Sequence, residues 1–240
     1  MKTLVSLINN LIRKIFMIVT KDTSVDFPFF IIKDFLPNPE VYRKMVLEAE
    51  YDQSSGYWVG DNIISHPFYA NKTLEYIAST ASGILQDYIW YIDSSFINFR
   101  RLTQPKHSEL HAHIDRFSRY DFDEHGRPIY VNHPMWSFIF DFTPQEQSAR
   151  LCFCEDLNGQ RFATSKTPVD IPKQKDSSQW KIYKDFYYSY NTAVMFPSNC
   201  WHTAIDFACS KEMPRTMGVA WIYSGFNAKY NKCGIPLVDK

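Results

Sequence analysis

No block of like charge runs through this sequence. Lys and Arg number 26 and Asp and Glu 26, for a formal net charge of zero. The basic footprint needed for sequence-independent phosphate binding is therefore missing, and no nucleic-acid partner is expected. Cysteines are few: Cys152, Cys154, Cys200, Cys209 and Cys233 are odd in number and include no Cys-x-x-Cys pair, which argues against a zinc clip or a redox couple. Cys152 and Cys154 would share one face of a strand, a poor geometry for a disulfide. All five read as reduced, and the protein as cytoplasmic. No unbroken apolar run is long enough to span a bilayer. In the first twenty residues Leu4, Ile8, Leu11, Ile15 and Ile18 recur at helical spacing, but Asn9, Asn10, Arg13 and Lys14 interrupt them. That segment lacks both the continuous core of a signal peptide and the roughly 20 apolar residues of a spanning helix. Residues 1–22 are read as an amphipathic helical segment packed on the domain, without stable membrane insertion; surface attachment to a membrane and translation starting at Met17 are the alternatives. With no internal repeat and no linker, residues 23–240 are expected to form a single domain.

Aromatic residues are abundant. Phe (19) and Tyr (15) lift the aromatic share to 17%, and such residues suit pleated, half-buried surfaces. Phe27–Phe35 (FPFFIIKDF) has the look of a strand. Leu36-Pro37-Asn38-Pro39 follows, with Asn38 suited to cap a helix and Pro39 to open it, over about residues 40–50. Leu74, Ile77, Ala78, Ala81, Ile84, Leu85, Tyr88, Ile89 and Ile92 repeat at i, i+3, i+4 and predict a second helix with one buried face. From Ser95 the period becomes two. SFINFRRL, MWSFIFDF, RLCFCED, DFYYSY, TAVMFP and RTMGVAWIY read as short strands separated by turns. Residues 121–134 and 158–181 are polar and read as loops over the sheet. The expected fold is α+β but mainly β: a jelly-roll or cupin-like barrel with supporting helices at its N-terminal side.

Among seven histidines, the informative ones lie in Glu109-Leu-His111-Ala-His113-Ile-Asp115. Residues two apart on a strand face the same way, so His113 and Asp115 converge. His202, after the buried-strand run VMFP and a Ser-Asn turn, is placed to supply a third ligand from far along the chain. Two imidazoles and one carboxylate on one face leave the opposite positions of a metal open, the arrangement of non-haem Fe(II) oxygenases. His111 shares the face of His113 and leaves the register ambiguous.

With H-x-D at His113–Asp115, the distal His202 and Arg215 opening the next strand, the sequence resembles the Fe(II)/2-oxoglutarate-dependent dioxygenases of the double-stranded β-helix fold, nearest the prolyl-4-hydroxylase-like branch. The likeness runs from about Phe27 to Phe226. It implies Fe(II) held by His113, Asp115 and His202, and 2-oxoglutarate as co-substrate. Its distal carboxylate would be held by Arg215, whose planar fork suits a carboxylate; Lys211 is the alternative anchor. It further implies hydroxylation of a small-molecule or peptide substrate with release of succinate and CO2. The chain departs from the family in lacking a glycine pair at SARLCFCED and in carrying Met217 where some relatives have a hydroxyl. Asp115 disfavours a halogenase, and Trp221 stands where a DNA-repair demethylase would carry a second arginine. A cupin-like metal protein and a non-catalytic jelly-roll binding module are the rival readings. The sequence specifies neither substrate nor oligomeric state.

Overall fold

The computed structural model describes residues 17–50, 53–54, 61–64, 66–86, 89–91, 97–104, 110–115, 120–122, 128–130, 135–144, 149–163, 171–205 and 209–224. In chain order the elements are β1 (Ile18–Asp22), β2 (Phe29–Lys33), α1 (Pro39–Glu48), β3 (Gln53–Ser54), β4 (Asp61–Ile64), α2 (Pro67–Leu85), β5 (Ile89–Tyr91), β6 (Ile97–Leu102), β7 (Tyr120–Phe122), β8 (Pro128–Tyr130), β9 (Met135–Asp141), β10 (Arg150–Asp156), α3 (Ile171–Lys175), β11 (Trp180–Tyr187), β12 (Thr192–Pro197), β13 (His202–Ile205) and β14 (Arg215–Ser224). A nine-stranded sheet runs β1-β2-β12-β9-β14-β6-β4-β3, with β5 also on β14; a three-stranded sheet runs β11-β10-β13. Every pairing among the described residues is antiparallel.

Period-two patterning sorts the large sheet into two faces. On β9, Trp136, Phe138 and Phe140 pack with Tyr42, Met45 and Val46 of α1 and Ile77 and Ala81 of α2. From the other face, Ile139 of β9, Val194 and Phe196 of β12, and Met217, Val219 and Trp221 of β14 meet Leu151 and Phe153 of the small sheet. The result is three layers: helices, large sheet, small sheet. Gly218 lies on the helix side of β14, where a Cβ would stand 2.0 Å from Phe140 Cζ. The absence of a side chain lets the Phe140 ring lie across the neighbouring strand.

Several expectations need correction. The second helix begins earlier, at Pro67, and stops at Leu85, with Gln86 left-handed at φ 51°. Ile89 continues the helical period but belongs to β5, which pairs with β14. Asn38 takes the cap position of α1 without a capping side-chain bond. The stretch 121–134 includes most of a β7–β8 hairpin, and 158–181 holds α3 and the start of β11. The described parts of that second stretch cover the outer face of the small sheet, where Trp180 and Ala163 pack with Cys152, Cys154 and Trp201. The amphipathic helix expected for the N-terminal segment falls largely outside the described residues, but Ile18–Asp22, read as its end, is a strand. Cys152, Cys154, Cys200 and Cys209 are free and buried; Cys233 lies outside the described residues. Among those residues no helix is long and apolar enough to cross a membrane.

Candidate metal centre

His113, Asp115 and His202 come together, each offering a ligand atom within 4.8 Å of the others. The backbone explains the convergence. His113 and His202 form an isolated antiparallel bridge and exchange both N–H···O bonds at 2.9 Å, so their side chains leave the same face. Asp115, two residues on, returns to that face, and its N–H is held by Ser198 O at 2.9 Å. The extended segment is thus tied to the edge of the small sheet by a bridge rather than a full ladder.

Both imidazoles are set in one tautomer. His202 Nδ1 lies 3.0 Å from Cys200 O, and His113 Nδ1 lies 3.3 Å from His111 O. A carbonyl only accepts, so each Nδ1 carries a proton and each Nε2 is the nitrogen left to bind a metal. Those Nε2 atoms face the carboxylate: His202 Nε2 is 3.4 Å from Asp115 Oδ2, and His113 Nε2 is 3.7 Å from Asp115 Oδ1. His111 therefore contributes its carbonyl, and its ring is outside the cluster, which settles the register.

Without a metal the three groups share protons unequally. Burial pushes the His113 imidazole down to about 4, and the charge of His202 adds to the push. Burial also opposes a charge on Asp115, but the charge and hydrogen bond of His202 hold its carboxyl well below the usual range. His202 is raised: burial works against its protonation and Asp115 outweighs it. Access is one-sided, with the His113 side chain 40% exposed and that of His202 3%.

Arg215 is almost fully buried on the inner face of β14. Its Nε donates to Asp141 Oδ2 at 2.7 Å, and Asp141 Oδ1 in turn accepts from Thr143 N at 2.9 Å. The guanidinium stands 5.3 Å from the ring centre of Tyr188. Lys211, the alternative anchor, sits exposed in the turn before β14. Of the two arginines on β6, Arg101 reaches Leu47 O of α1, whereas Arg100 faces the other way and its charge reaches His113.

No protein-family model matches the chain. No curated protein matches it in sequence. Solved structures do resemble it. HygX from Streptomyces hygroscopicus, crystallised with nickel and 2-oxoglutarate, aligns over 84% of each chain at 9% identity with a TM-score of 0.50. The same protein with nickel, 2-oxoglutarate and hygromycin B aligns over the same shares at 10% identity, again with a TM-score of 0.50. Prolyl 4-hydroxylases from Phytophthora capsici align over 85% of this chain and 60% of theirs at 10% identity, with a TM-score of 0.40, too low to bear weight. The fold is similar to that of HygX.

Four further side chains complete the site. Ser137 Oγ donates to Asp115 Oδ2 at 2.8 Å and lies 2.9 Å from Ser198 Oγ; a hydroxyl has one proton, so Ser198 donates into Ser137. Asp141 holds Arg215. Tyr188 is buried with a hydroxyl that has no hydrogen-bond partner among the described residues. Burial raises that hydroxyl's pKa, and the charges of Arg215, Asp141 and Asp115 all reach it; its ring lies beneath the Arg215 guanidinium. Ser137 and Asp141 had a readable trace: if Trp136, Phe138 and Phe140 share a face, the polar residues between them look inward. Tyr188 left none.

Proposed function

We propose that the chain is a non-haem Fe(II)- and 2-oxoglutarate-dependent oxygenase on a double-stranded β-helix, hydroxylating a small-molecule or peptide substrate. The observation that carries this reading is the His113–Asp115–His202 cluster, whose ligand atoms all lie within 4.8 Å of one another, on a fold similar to that of a protein crystallised with nickel and 2-oxoglutarate. Two nitrogens and one carboxylate oxygen are the donor set that suits Fe(II) with open positions. The orphaned Tyr188 hydroxyl beside Arg215 fits the co-substrate: a buried donor without an acceptor costs free energy, and a carboxylate arriving there would satisfy it.

When bound, the iron with 2-oxoglutarate and O2 supplies the oxidising power for attack on a substrate C–H bond, with succinate and CO2 released. The chain's residues do the rest. His113 and His202 keep their protons on Nδ1 and present Nε2, and Ser137 orients the Asp115 carboxylate. Arg215 and Tyr188 take the distal carboxylate of the co-substrate. Phe196, whose ring centre is 4.9 Å from that of His202, and Trp221 wall the inner side against water. The exposed flank of His113 admits the substrate. Residues 23–240 form the catalytic domain on this reading, and the segment ahead of it is attached through the pairing of β1 with β2. The prolyl-4-hydroxylase-like branch remains the nearest by motif, and the free thiols favour an intracellular setting.

The test is stoichiometric. Anaerobic dialysis should give one Fe(II) per chain, and admitting O2 with 2-oxoglutarate should give succinate; both should be lost in Asp115→Ala. Iron binding without succinate would favour the cupin-like reading, in which 2-oxoglutarate has no part.

A further inference from the structure

All three candidate ligands come from the small-sheet side, whereas Arg215 belongs to the large sheet. The two ends are linked through one strand. On the inner face of β9, Ser137 bonds Asp115, and four residues along, Asp141 bonds Arg215. At the rise of a strand these positions are roughly 14 Å apart. Arg215 begins further out than Asp141: the register pairs Met217 with Asp141, so Arg215 is level with Thr143. Its Nε nonetheless reaches Asp141, and the side chain therefore leans along the sheet towards the triad. The Tyr188 ring lies beneath the Arg215 guanidinium, and its hydroxyl has no hydrogen-bond partner among the described residues.

We propose that β9 acts as a ruler: Ser137 fixes the metal-binding carboxylate, Asp141 fixes the arginine, and the strand between them sets the length of 2-oxo diacid the site accepts. The proposal rests on the oxygenase reading and deepens it by naming two positioning residues. Ser137 is suited to its end because it is fully buried, rides on a strand packed on both faces, and is braced by Ser198 in the turn that precedes His202. One hydroxyl thereby couples the Asp115 segment, the His202 turn and the opposite sheet. Asp141 is suited to the other end because both its oxygens are engaged, one by Thr143 N–H and one by Arg215. A carboxylate fixed in this way holds the guanidinium at one place along the strand, so a diacid one carbon shorter or longer presents its far carboxylate out of register.

The experiment loads the full chain with Fe(II) without oxygen and titrates three probes, oxaloacetate, 2-oxoglutarate and 2-oxoadipate, following the visible charge-transfer band of the chelate. Metal affinity and the thermal midpoint of the metal-free protein are measured alongside. Wild type should prefer the five-carbon acid by about tenfold or more, the worth of one well-placed charge-assisted hydrogen bond. Asp141→Asn leaves an amide N–H facing either Arg215 or Thr143. It should cut that preference to within about threefold, with metal affinity unchanged; Asp141→Ala should do the same wherever it folds. Ser137→Ala should weaken metal binding by about ten- to a hundredfold and, by releasing the metal end of the ruler, also narrow the ranking of the acids. Adding Ser198→Ala to Ser137→Ala should cost little more, since the two hydroxyls act in series. The ruler is overturned if Asp141→Asn keeps the wild-type ranking, if wild type has none, or if Ser137→Ala lowers only the thermal midpoint. Failure of the oxygenase reading looks different: no band forms with any of the three acids.

Discussion

Replacing Arg215 with methionine tests the buried pair directly, apart from any catalysis. Arg215 and Asp141 have side chains 1% and 0% exposed and meet at 2.7 Å. Met keeps most of the aliphatic stem and can still touch the Tyr188 ring through sulfur, so the change removes the charge more than the packing. Asp141 is then left buried without its cation, which typically costs about 3–5 kcal/mol. For a chain of this size each kcal/mol moves the thermal midpoint by roughly 2–4 °C, so Arg215→Met should melt about 6–20 °C below wild type. Asp141→Leu should cost a similar amount, because it strands the guanidinium. The double variant removes both charges and should recover most of the loss, since apolar replacements of a buried pair are often neutral or stabilising by about 1–4 kcal/mol. Urea denaturation of the four metal-free proteins gives the coupling energy. A single variant within about 1 kcal/mol of wild type, or a double variant whose loss is the sum of the two singles, would refute the argument, because the charges would then be solvated or independent.

Tyr188→Phe should leave stability unchanged or slightly higher, because it deletes an unsatisfied buried hydroxyl. It should also raise the 2-oxoglutarate concentration for half-saturation by about tenfold; a fall in stability with unchanged half-saturation would place the hydroxyl's partner in the protein. Gly218→Ala should destabilise by about 1–3 kcal/mol through the clash with Phe140, and Phe140→Leu added to it should recover part of that loss in the same denaturation assay. Metal binding should strengthen with pH. His202 is raised and must lose a proton to ligate, whereas His113, at about 4, and Asp115, lower still, are already deprotonated near neutrality. One proton should leave per metal bound from just above pH 4 up to the raised pKa of His202, as read by calorimetry in buffers of different ionisation enthalpy. Two protons released at pH 6 would contradict the assignment of His113. In the metal-free protein the stability supplied by the His202–Asp115 contact is fully present below the unfolded histidine value of about 6.5. It should be lost as pH rises through the folded value.

The candidate ligands were legible because strand chemistry is local: residues two apart share a face, and His113 and Asp115 needed nothing more. His202 was legible as a histidine following a buried strand, and Arg215 as the opening of a strand whose alternate residues point inward. What joins them was harder to read. The His113–His202 bridge is a long-range backbone pairing that leaves no pattern in either segment. Tyr188 follows β11 and meets Arg215 only because the two sheets pack face to face. The end of α2 is not legible in the sequence because Ile89 satisfies both a helical and a strand period, and tertiary pairing with β14 decides between them. The polar stretch 158–181 reads as loops over the sheet, and its described parts do cover the small sheet. The face they cover is the outer one, where Trp180 packs against Trp201 with ring centres 4.7 Å apart.

The most direct test of the central claim is an anaerobic titration of the Fe(II)-loaded chain with 2-oxoglutarate, following the visible charge-transfer band that forms when a 2-oxo acid chelates the iron. The account predicts a saturable band in wild type, none in Asp115→Ala, and a weaker 2-oxoglutarate dependence in Arg215→Met. A wild-type protein that binds Fe(II) tightly yet gives no band at any 2-oxoglutarate concentration would contradict it.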